Sequence, residues 1–462
     1  MTGVEQSENS ISRLRRSAPE TVTDIFIACL VSVYLLAVPP DGYASITQFK
    51  YRFFMILCAA YTAAALFFAV RDLLKGRDKL FSAPLTASGW ARLALCAYLV
   101  LTALSAAFSA YGGTLRGSGR LDGLLTVAAY VVTCLLVSRY ARCGPWILWL
   151  SGLSVALFCA LSLAQFAGAD PLRLYPEGTA WVGSSGHTHV PFFGTVGNAD
   201  LSVAVLCAAS GAFLMSLFRC RGRIRFLLLV PLALAVTVIL KSGVEAGKVA
   251  IAAGVLLSLP AAAGRHRRLR LAAAVFAAAA VILSVAVLAL WTPASRGLLY
   301  EASELLHGRW NDSFGSGRIY IWRNCLKLFP ERPLFGGGPD TLGARGIPPF
   351  IRWDPDQGML KRGIDAAHNE YLNILVNQGL LALLAYLSAL AACAVVWYRT
   401  AEDPAAAVAG GAVLFYCIQA FFGISMCLSA PYMWLALGIL LRAGSPGRNE
   451  RPDITGPPGS DP

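Results

Sequence analysis

The chain has 462 residues, of which 56% are hydrophobic and only 14% are charged. A soluble domain is about a quarter charged, so this composition excludes an ordinary soluble enzyme and indicates an integral membrane protein. The formal charge of +13 does not indicate nucleic acid as a partner, because the basic residues lie in short clusters between apolar runs.

The apolar runs predict an all-α polytopic fold with about twelve transmembrane helices, since a spanning helix needs about 20 apolar residues. The twelve runs are residues 22–40, 53–70, 91–109, 123–138, 145–166, 199–218, 226–241, 244–263, 270–291, 372–398, 405–424 and 427–442. The twelve cysteines lie mostly within these runs and form no CxxC pair. This placement favours buried free thiols over a disulfide framework or a zinc site.

Positive charge orients these helices. Basic residues cluster in alternate connections, at 71–79, 139–142, 219–225 and 265–270. Because such loops stay in the cytoplasm, we expect both termini inside. The same parity places the segments 110–122, 167–198 and 292–371 outside the cytoplasm.

The pattern divides the chain into five parts. They are a cytoplasmic N-terminal segment (1–21), helices one to nine (22–291), an extracytoplasmic loop (292–371), helices ten to twelve (372–442) and a tail (443–462). The Pro and Gly content of the tail predicts disorder. The loop 292–371 is long and basic, and we expect it to hold the catalytic site for an anionic substrate.

Two helices are predicted around this loop. Ser313 to Pro330 reads as an amphipathic helix, and the glycines at 336–338 predict a turn after it. Asp365 is expected to cap a second helix that starts near Ala366 and continues into the tenth span. The apolar stripe of the first helix consists of Ile319, Trp322, Leu326 and Phe329.

Arginines in outer segments are the first candidate functional groups. Arg120 and Arg318 each lie beside glycines at the predicted outer end of a span, and Arg116 lies four residues before Arg120. Single arginines in such places often anchor a helix at lipid headgroups. Several together favour a phosphate site, because the planar guanidinium matches phosphate oxygens.

Histidines and glycines supply further candidates. In the predicted first turn of a helix, His368 either forms a structural hydrogen bond or acts as a base, and nearby positive charge keeps it neutral. His187 and His189 have the spacing of metal ligands, but no Cys or acidic cluster accompanies them, so we predict no metal site. Gly194 to Ser202 is either an ordinary turn or a close backbone approach to a ligand.

These elements together resemble the O-antigen ligase and polymerase superfamily of bacterial membrane glycosyltransferases. The match covers most of residues 20–442, and its order and spacing make it specific. The elements are Arg318-x-x-x-Trp322, Pro333-x-x-Gly336-x-Gly338, His368-Asn369-x-x-Leu372 with Gly379, Gly194-Thr-x-Gly-Asn198 and Arg120-x-Asp122-Gly123.

The resemblance implies an enzyme of the cytoplasmic (inner) membrane with its active site facing outside. Such enzymes move a glycan from an undecaprenyl-pyrophosphate carrier to an acceptor hydroxyl on a glycan or glycolipid, by inversion and without a metal ion or other cofactor. His368 would be the base. The other implied site residues are Arg318, Arg120, Arg116 and Lys248 for the pyrophosphate, with Trp322, Asn369 and Asn198 in support.

One departure and two alternatives accompany this reading. Ligases commonly carry a Ser-Arg-Gly-like motif near the centre of the chain, where this sequence has Lys241 to Lys248 and no arginine. We expect Lys241 or Lys248 to supply the charge. A surface polysaccharide polymerase of the same family and a polytopic transporter of lipid-linked glycans are the alternatives to a ligase. Membrane lipids are partners in all three.

Overall fold

The computed structural model describes residues 17–445 except 76–85, 177–191, 265, 292, 294–296 and 355–357. The described chain is a bundle of helices with two short antiparallel hairpins. The helices are α1 Ala18–Ala28, α2 Ile46–Leu74, α3 Ala87–Ala107, α4 Leu124–Tyr140, α5 Trp146–Phe166, α6 Ala199–Arg219, α7 Leu229–Lys241, α8 Glu245–Ala262, α9 Arg267–Leu290, α10 Leu298–Leu306, α11 Phe314–Leu328, α12 Glu370–Gln378, α13 Leu380–Thr400, α14 Pro404–Ala420 and α15 Ala430–Ala443. The hairpins pair β1 Phe192–Phe193 with β2 Gly197–Asn198, and β3 Phe350–Asp354 with β4 Gly358–Arg362.

The predicted spans all coincide with helices, and the protein is an all-α polytopic membrane protein. Eight described helices are long and apolar enough to cross a bilayer, and α4, α14 and α15 are shorter apolar helices. The first predicted run holds α1, which continues as a π-helix over Cys29–Tyr34. The seventh and eighth runs form two separate helices, α7 and α8, which are divided at Ser242–Val244.

The tenth helix was predicted to start near Ala366 and to continue without a break, and both parts of that prediction are wrong. The structure begins α12 at Glu370, and the side chain that caps it is Asn369, whose Oδ1 accepts from the Leu372 N–H at 2.9 Å. His368 therefore lies before the helix, in a left-handed conformation with φ 48°. The helix then breaks at Gly379, where α13 starts.

The break at Gly379 exists because another segment packs against it. Gly379 has φ +91°, and a Cβ there would lie 2.2 Å from the Leu334 carbonyl oxygen. The N–H groups of Gly337 and Gly338 donate to the carbonyls of Val376 and Asn377, at 3.1 and 2.6 Å. The glycine turn after α11 thus covers the carboxyl end of α12. This contact joins the Pro333–Gly338 element to the element that runs from His368 to Gly379.

The loop helix α11 is only partly as predicted. Gly315, Ser316 and Gly317 have left-handed backbone angles, so the regular part of the helix begins at Arg318. Its buried residues include Ile319, Ile321 and Cys325, whereas Leu326 is 53% exposed. The predicted stripe is therefore wrong at Leu326, since the buried face is set by packing against α12 and the loop before it.

Two central helices meet closely and fix one end of the bundle. A Cβ on Gly211 of α6 would lie 2.2 Å from the carbonyl oxygen of Gly411 in α14. Small residues allow such close approach between membrane helices. Farther along, where α6 starts and α14 ends, Gln419 Nε2 donates to the Asp200 carbonyl at 3.4 Å. The start of α6 and the end of α14 are thereby held together.

Candidate active site

Four segments that are distant in the sequence meet at the end of the bundle where α6 starts and α14 ends. They are the connection between α3 and α4, the start of α6, the start of α11 and the loop before α12. We call Arg120, Asp200, Arg318, Asp365 and His368 the arginine–histidine cluster, because the four charged groups act electrostatically on the imidazole of His368. The sequence predicted the two arginines and the histidine, and it missed the partners of the arginines.

Arg318 is held on two sides by backbone carbonyls. Its Nε donates to the Phe422 carbonyl at 2.9 Å, and its Nη1 donates to the Gly315 carbonyl at 2.9 Å. The third nitrogen, Nη2, lies 3.7 Å from Asp200 Oδ1, which is an ion pair but too long for a hydrogen bond. The guanidinium is thus fixed in position, with Nη2 directed at a carboxylate.

Arg120 has a shorter ion pair. Its Nη2 lies 2.7 Å from Asp365 Oδ1, and the two side chains are 20% and 44% exposed. Its Nε is buried and has no hydrogen-bond partner among the described residues. Asp365, which was expected to cap a helix, instead neutralises this arginine.

His368 is partly exposed, and two side chains hold its loop in place, one as a hydrogen-bond donor and the other as an acceptor. Trp322 Nε1 donates to the Ala367 carbonyl at 3.0 Å, and the Ala367 N–H donates to Asn373 Oδ1 at 3.2 Å. Loss of solvent lowers the pKa of His368 to about 4. Arg318 and Arg120 add to this effect, whereas Asp200 and Asp365 oppose it. The imidazole is therefore neutral at physiological pH and able to accept a proton.

Asn369 and Asn198 both act as helix caps. Asn369 caps α12, and Asn198 Oδ1 accepts from the N–H groups of Asp200 and Leu201 at 3.0 and 3.3 Å. Each cap lies beside a member of the arginine–histidine cluster. These caps fix the start of α6, which carries Asp200, and the start of α12, which directly follows the His368 loop.

Arg116 and Lys248 make other contacts. Arg116 Nη2 donates to Gln48 Oε1 at 3.1 Å, and its guanidinium lies over the Tyr51 ring. Lys248 pairs with Glu245 of its own helix at 2.6 Å. Within the described parts of the chain, neither forms an ion pair with the arginine–histidine cluster. Their phosphate role stays a prediction, as does that of Lys241.

Asp340 connects the Arg120 segment to the glycine turn. Its Oδ2 accepts from the backbone N–H groups of Gly119 and Arg120 at 3.1 and 2.8 Å, and more distantly from that of Asp122 at 3.4 Å. Burial raises the pKa of Asp340, although these hydrogen bonds oppose the change. Its position directly after Gly338-Pro339 was the only sequence signal for this role.

Two further carboxylates face a small polar cavity behind the cluster. The cavity has a volume of about 20 Å³, which is room for about one water molecule, and Asp122, Glu370 and Gln378 are among its lining residues. Glu370 Oε1 accepts from the Tyr386 hydroxyl at 2.6 Å. Burial raises the pKa of Glu370 to about 7, and it raises that of Asp122, with Asp340 adding to the effect.

Residues 230–387 match the family described as O-antigen ligase (Wzy_C). The matched segment covers about a third of the chain and is similar to the O-antigen ligase family. This match confirms the resemblance to the O-antigen ligase and polymerase superfamily. No curated protein matches the chain.

The matched segment extends from α7 into α13 and includes Arg318, Asp365 and His368. Arg120 and Asp200 lie before it in the sequence, so residues outside the matched segment complete the cluster. Among the described residues, no group of three or more His, Cys, Asp or Glu could hold a metal ion. His187 and His189 lie outside the described residues.

Proposed function

We propose that this protein is a membrane glycosyltransferase of the O-antigen ligase type, which transfers a glycan from an undecaprenyl-pyrophosphate carrier to an acceptor hydroxyl. The observation that carries the proposal is the convergence of Arg120, Arg318 and His368 at one end of the bundle. Arg120 pairs with Asp365, three residues before His368, and Trp322, one turn after Arg318, donates to the carbonyl of the residue before His368. The matched family acts on lipid-linked glycans in membranes, which supports a donor of this class.

In the proposed reaction, one bond forms as another breaks. The acceptor oxygen attacks the anomeric carbon, its proton passes to His368, and the pyrophosphate leaves with the electron pair of the broken C–O bond. Direct displacement inverts the anomeric configuration. Arg318 and Arg120 stabilise the charge that develops on the leaving group, and this stabilisation is strong where water is largely excluded.

The distribution of charge supports an orientation with the site outside the cytoplasm. At the opposite end of the bundle, Arg92 donates to the Leu441 carbonyl, Arg219 to the Ala261 carbonyl and Arg442 to the Ala141 carbonyl. Basic helix ends of this kind are typical of the cytoplasmic face. The arginine–histidine cluster would then face the outer leaflet, where the lipid-linked donor is presented.

The test is reconstitution of the purified protein with a carrier-linked glycan and separate acceptors. A ligase gives a glycan joined to a glycolipid core, with an anomeric configuration opposite to that of the donor. Elongated carrier-linked glycan would indicate a polymerase. If the protein moved the donor across vesicles without forming a glycosidic bond, the proposal of a glycosyltransferase would be overturned in favour of a transporter.

A further inference from the structure

The two arginines of the site are each paired with a carboxylate in the structure. Arg318 pairs with Asp200, and Arg120 pairs with Asp365. The two pairs differ in their contacts. The distance from Arg120 to Asp365 is 2.7 Å, which is a hydrogen-bonded ion pair, whereas that from Arg318 to Asp200 is 3.7 Å. Another anion would therefore displace Asp200 from Arg318 more easily than it would displace Asp365 from Arg120.

Arg318 needs no movement to accept a new anion. Its Nε and Nη1 are bound to the carbonyls of Phe422 and Gly315, and these bonds do not involve Asp200. Its side chain is 16% exposed, and that of Asp200 is 26% exposed. A phosphate oxygen that approaches Nη2 from solvent would compete with a carboxylate held only by charge.

The His368 loop lies beside this ion pair, because Trp322, one turn after Arg318 on α11, donates to the carbonyl of Ala367, the residue before His368, at 3.0 Å. The charged groups around the imidazole are Asp200 from the start of α6, Arg318 from α11, Arg120 from the connection before α4, and Asp365 from its own loop. Of the two carboxylates, Asp200 has the larger effect in favour of the protonated imidazole. As long as Arg318 is unliganded, its positive charge offsets that effect.

We propose that Asp200 is a positioning residue that exchanges partners during the reaction: it pairs with Arg318 in the empty site, and it stabilises protonated His368 once the pyrophosphate has taken Arg318. This inference rests on the proposed function. The proton of the acceptor hydroxyl moves to the imidazole, and the negative charge that appears on the pyrophosphate is matched by Arg318. Asp200, released from Arg318, is left to balance the imidazolium, as a carboxylate beside a catalytic histidine commonly does.

Asp200→Asn separates the two roles, because the amide keeps the size of the side chain and loses its charge. Binding of inorganic pyrophosphate to the purified protein should become about two- to fivefold tighter, since no carboxylate competes for Arg318 any longer. The kcat for glycosyl transfer should fall about ten- to hundredfold, and the acid limb of its pH profile should move to lower pH. A carboxylate with a purely structural role would leave that limb in place.

Asp312→Asn is the matched control. Asp312 pairs with Arg323 on the outer side of α11, away from the cluster. This variant should bind pyrophosphate and transfer glycan as the wild type does. Unchanged or weaker pyrophosphate binding in Asp200→Asn, or an unshifted acid limb, overturns the partner exchange. Wild-type protein that makes no glycosidic product would instead overturn the proposed function, and the pyrophosphate measurement would still decide whether Asp200 competes for Arg318.

Discussion

Asp340 accepts a 2.8 Å hydrogen bond from the backbone N–H of Arg120, a residue 220 positions earlier in the chain. The same oxygen also accepts from Gly119 and Asp122. One buried carboxylate thus sets the backbone path of the segment that carries Arg120. The glycine turn before Asp340 packs on α12, so the positions of Arg120 and of the His368 loop are mechanically linked.

We expect Asp340→Ala to lower glycosyl transfer about a hundredfold without preventing membrane insertion. The reason is displacement of Arg120, because a shift of about 1 Å at a catalytic group can cost a factor of this size. The measurement is kcat and KM for the donor in reconstituted protein. Asp170→Ala is the control, since Asp170 accepts the Tyr175 N–H at 3.0 Å in a loop outside the cluster. Equal losses in both variants would contradict a specific role for Asp340.

Arg318→Lys should lower transfer on the order of a hundredfold although it preserves the charge. A lysine cannot keep the bonds to Phe422 and Gly315 while it presents a donor to phosphate. Arg323→Lys, five residues later on the same helix, alters an exposed ion pair with Asp312 and should have no effect. If both variants retain wild-type rates, Arg318 is an interfacial anchor.

Glu370 should make the stability of the protein depend on pH. Its pKa is raised to about 7 by burial, from an ordinary value of 4.5. Between these values the folded protein holds a proton that the unfolded chain releases, so stability falls as pH rises from about 4.5 to about 7. Glu370→Gln removes this loss, because its amide stays neutral.

The free energy of unfolding in detergent at pH 4 and pH 8 measures this effect. The free energy of unfolding of Glu370→Gln, relative to that of wild type, should be larger at pH 8 than at pH 4 by on the order of 3 kcal/mol. Glu331→Gln, at a carboxylate that is 54% exposed, is the comparison and should show no such difference. A difference near zero for Glu370→Gln would mean that Glu370 is ionised in the folded protein.

Glycosyl transfer should continue after treatment with a chelator. Arg318 and Arg120 place two permanent positive charges where the pyrophosphate is proposed to leave, and these supply the stabilisation that a divalent cation supplies in many other phosphate sites. Transfer in EDTA, with and without added Mg²⁺ or Mn²⁺, is the measurement. Loss of activity in EDTA that a divalent ion restores would contradict leaving-group stabilisation by arginine alone.

The helices were predictable, because hydrophobicity alone determines where a chain can cross a bilayer. The break at Gly379 was not. A glycine within a helical pattern is compatible with an unbroken span, and the contact that requires the break comes from Leu334 and the turn after it. The expected cap, Asp365, was wrong and the actual cap is Asn369, because both residue types cap helices and residue type alone does not distinguish them.

The members of the candidate site were predictable in part. Arg120, Arg318 and His368 stand out because ionisable side chains near membrane helices are rare and often have a function. Their partners do not stand out. Asp365 lies 245 positions from the arginine it pairs with, and no local pattern indicates such a contact. The carboxylates Asp200, Asp340 and Glu370 became recognisable only when the fold brought them beside the arginines or buried them.

The most direct test of the account is His368→Ala compared with His307→Ala. His307 hydrogen-bonds to the Ser303 carbonyl at 2.7 Å within the loop, so its loss should leave the rate unchanged. His368→Ala should bind pyrophosphate as the wild type does, yet transfer glycan 10²–10⁴-fold more slowly, as expected when a general base is removed. In the wild type, kcat/KM should fall as the pH approaches about 4, where the imidazole of the free enzyme becomes protonated. A His368→Ala variant that keeps more than about a tenth of the wild-type rate would contradict the role of His368 as the base.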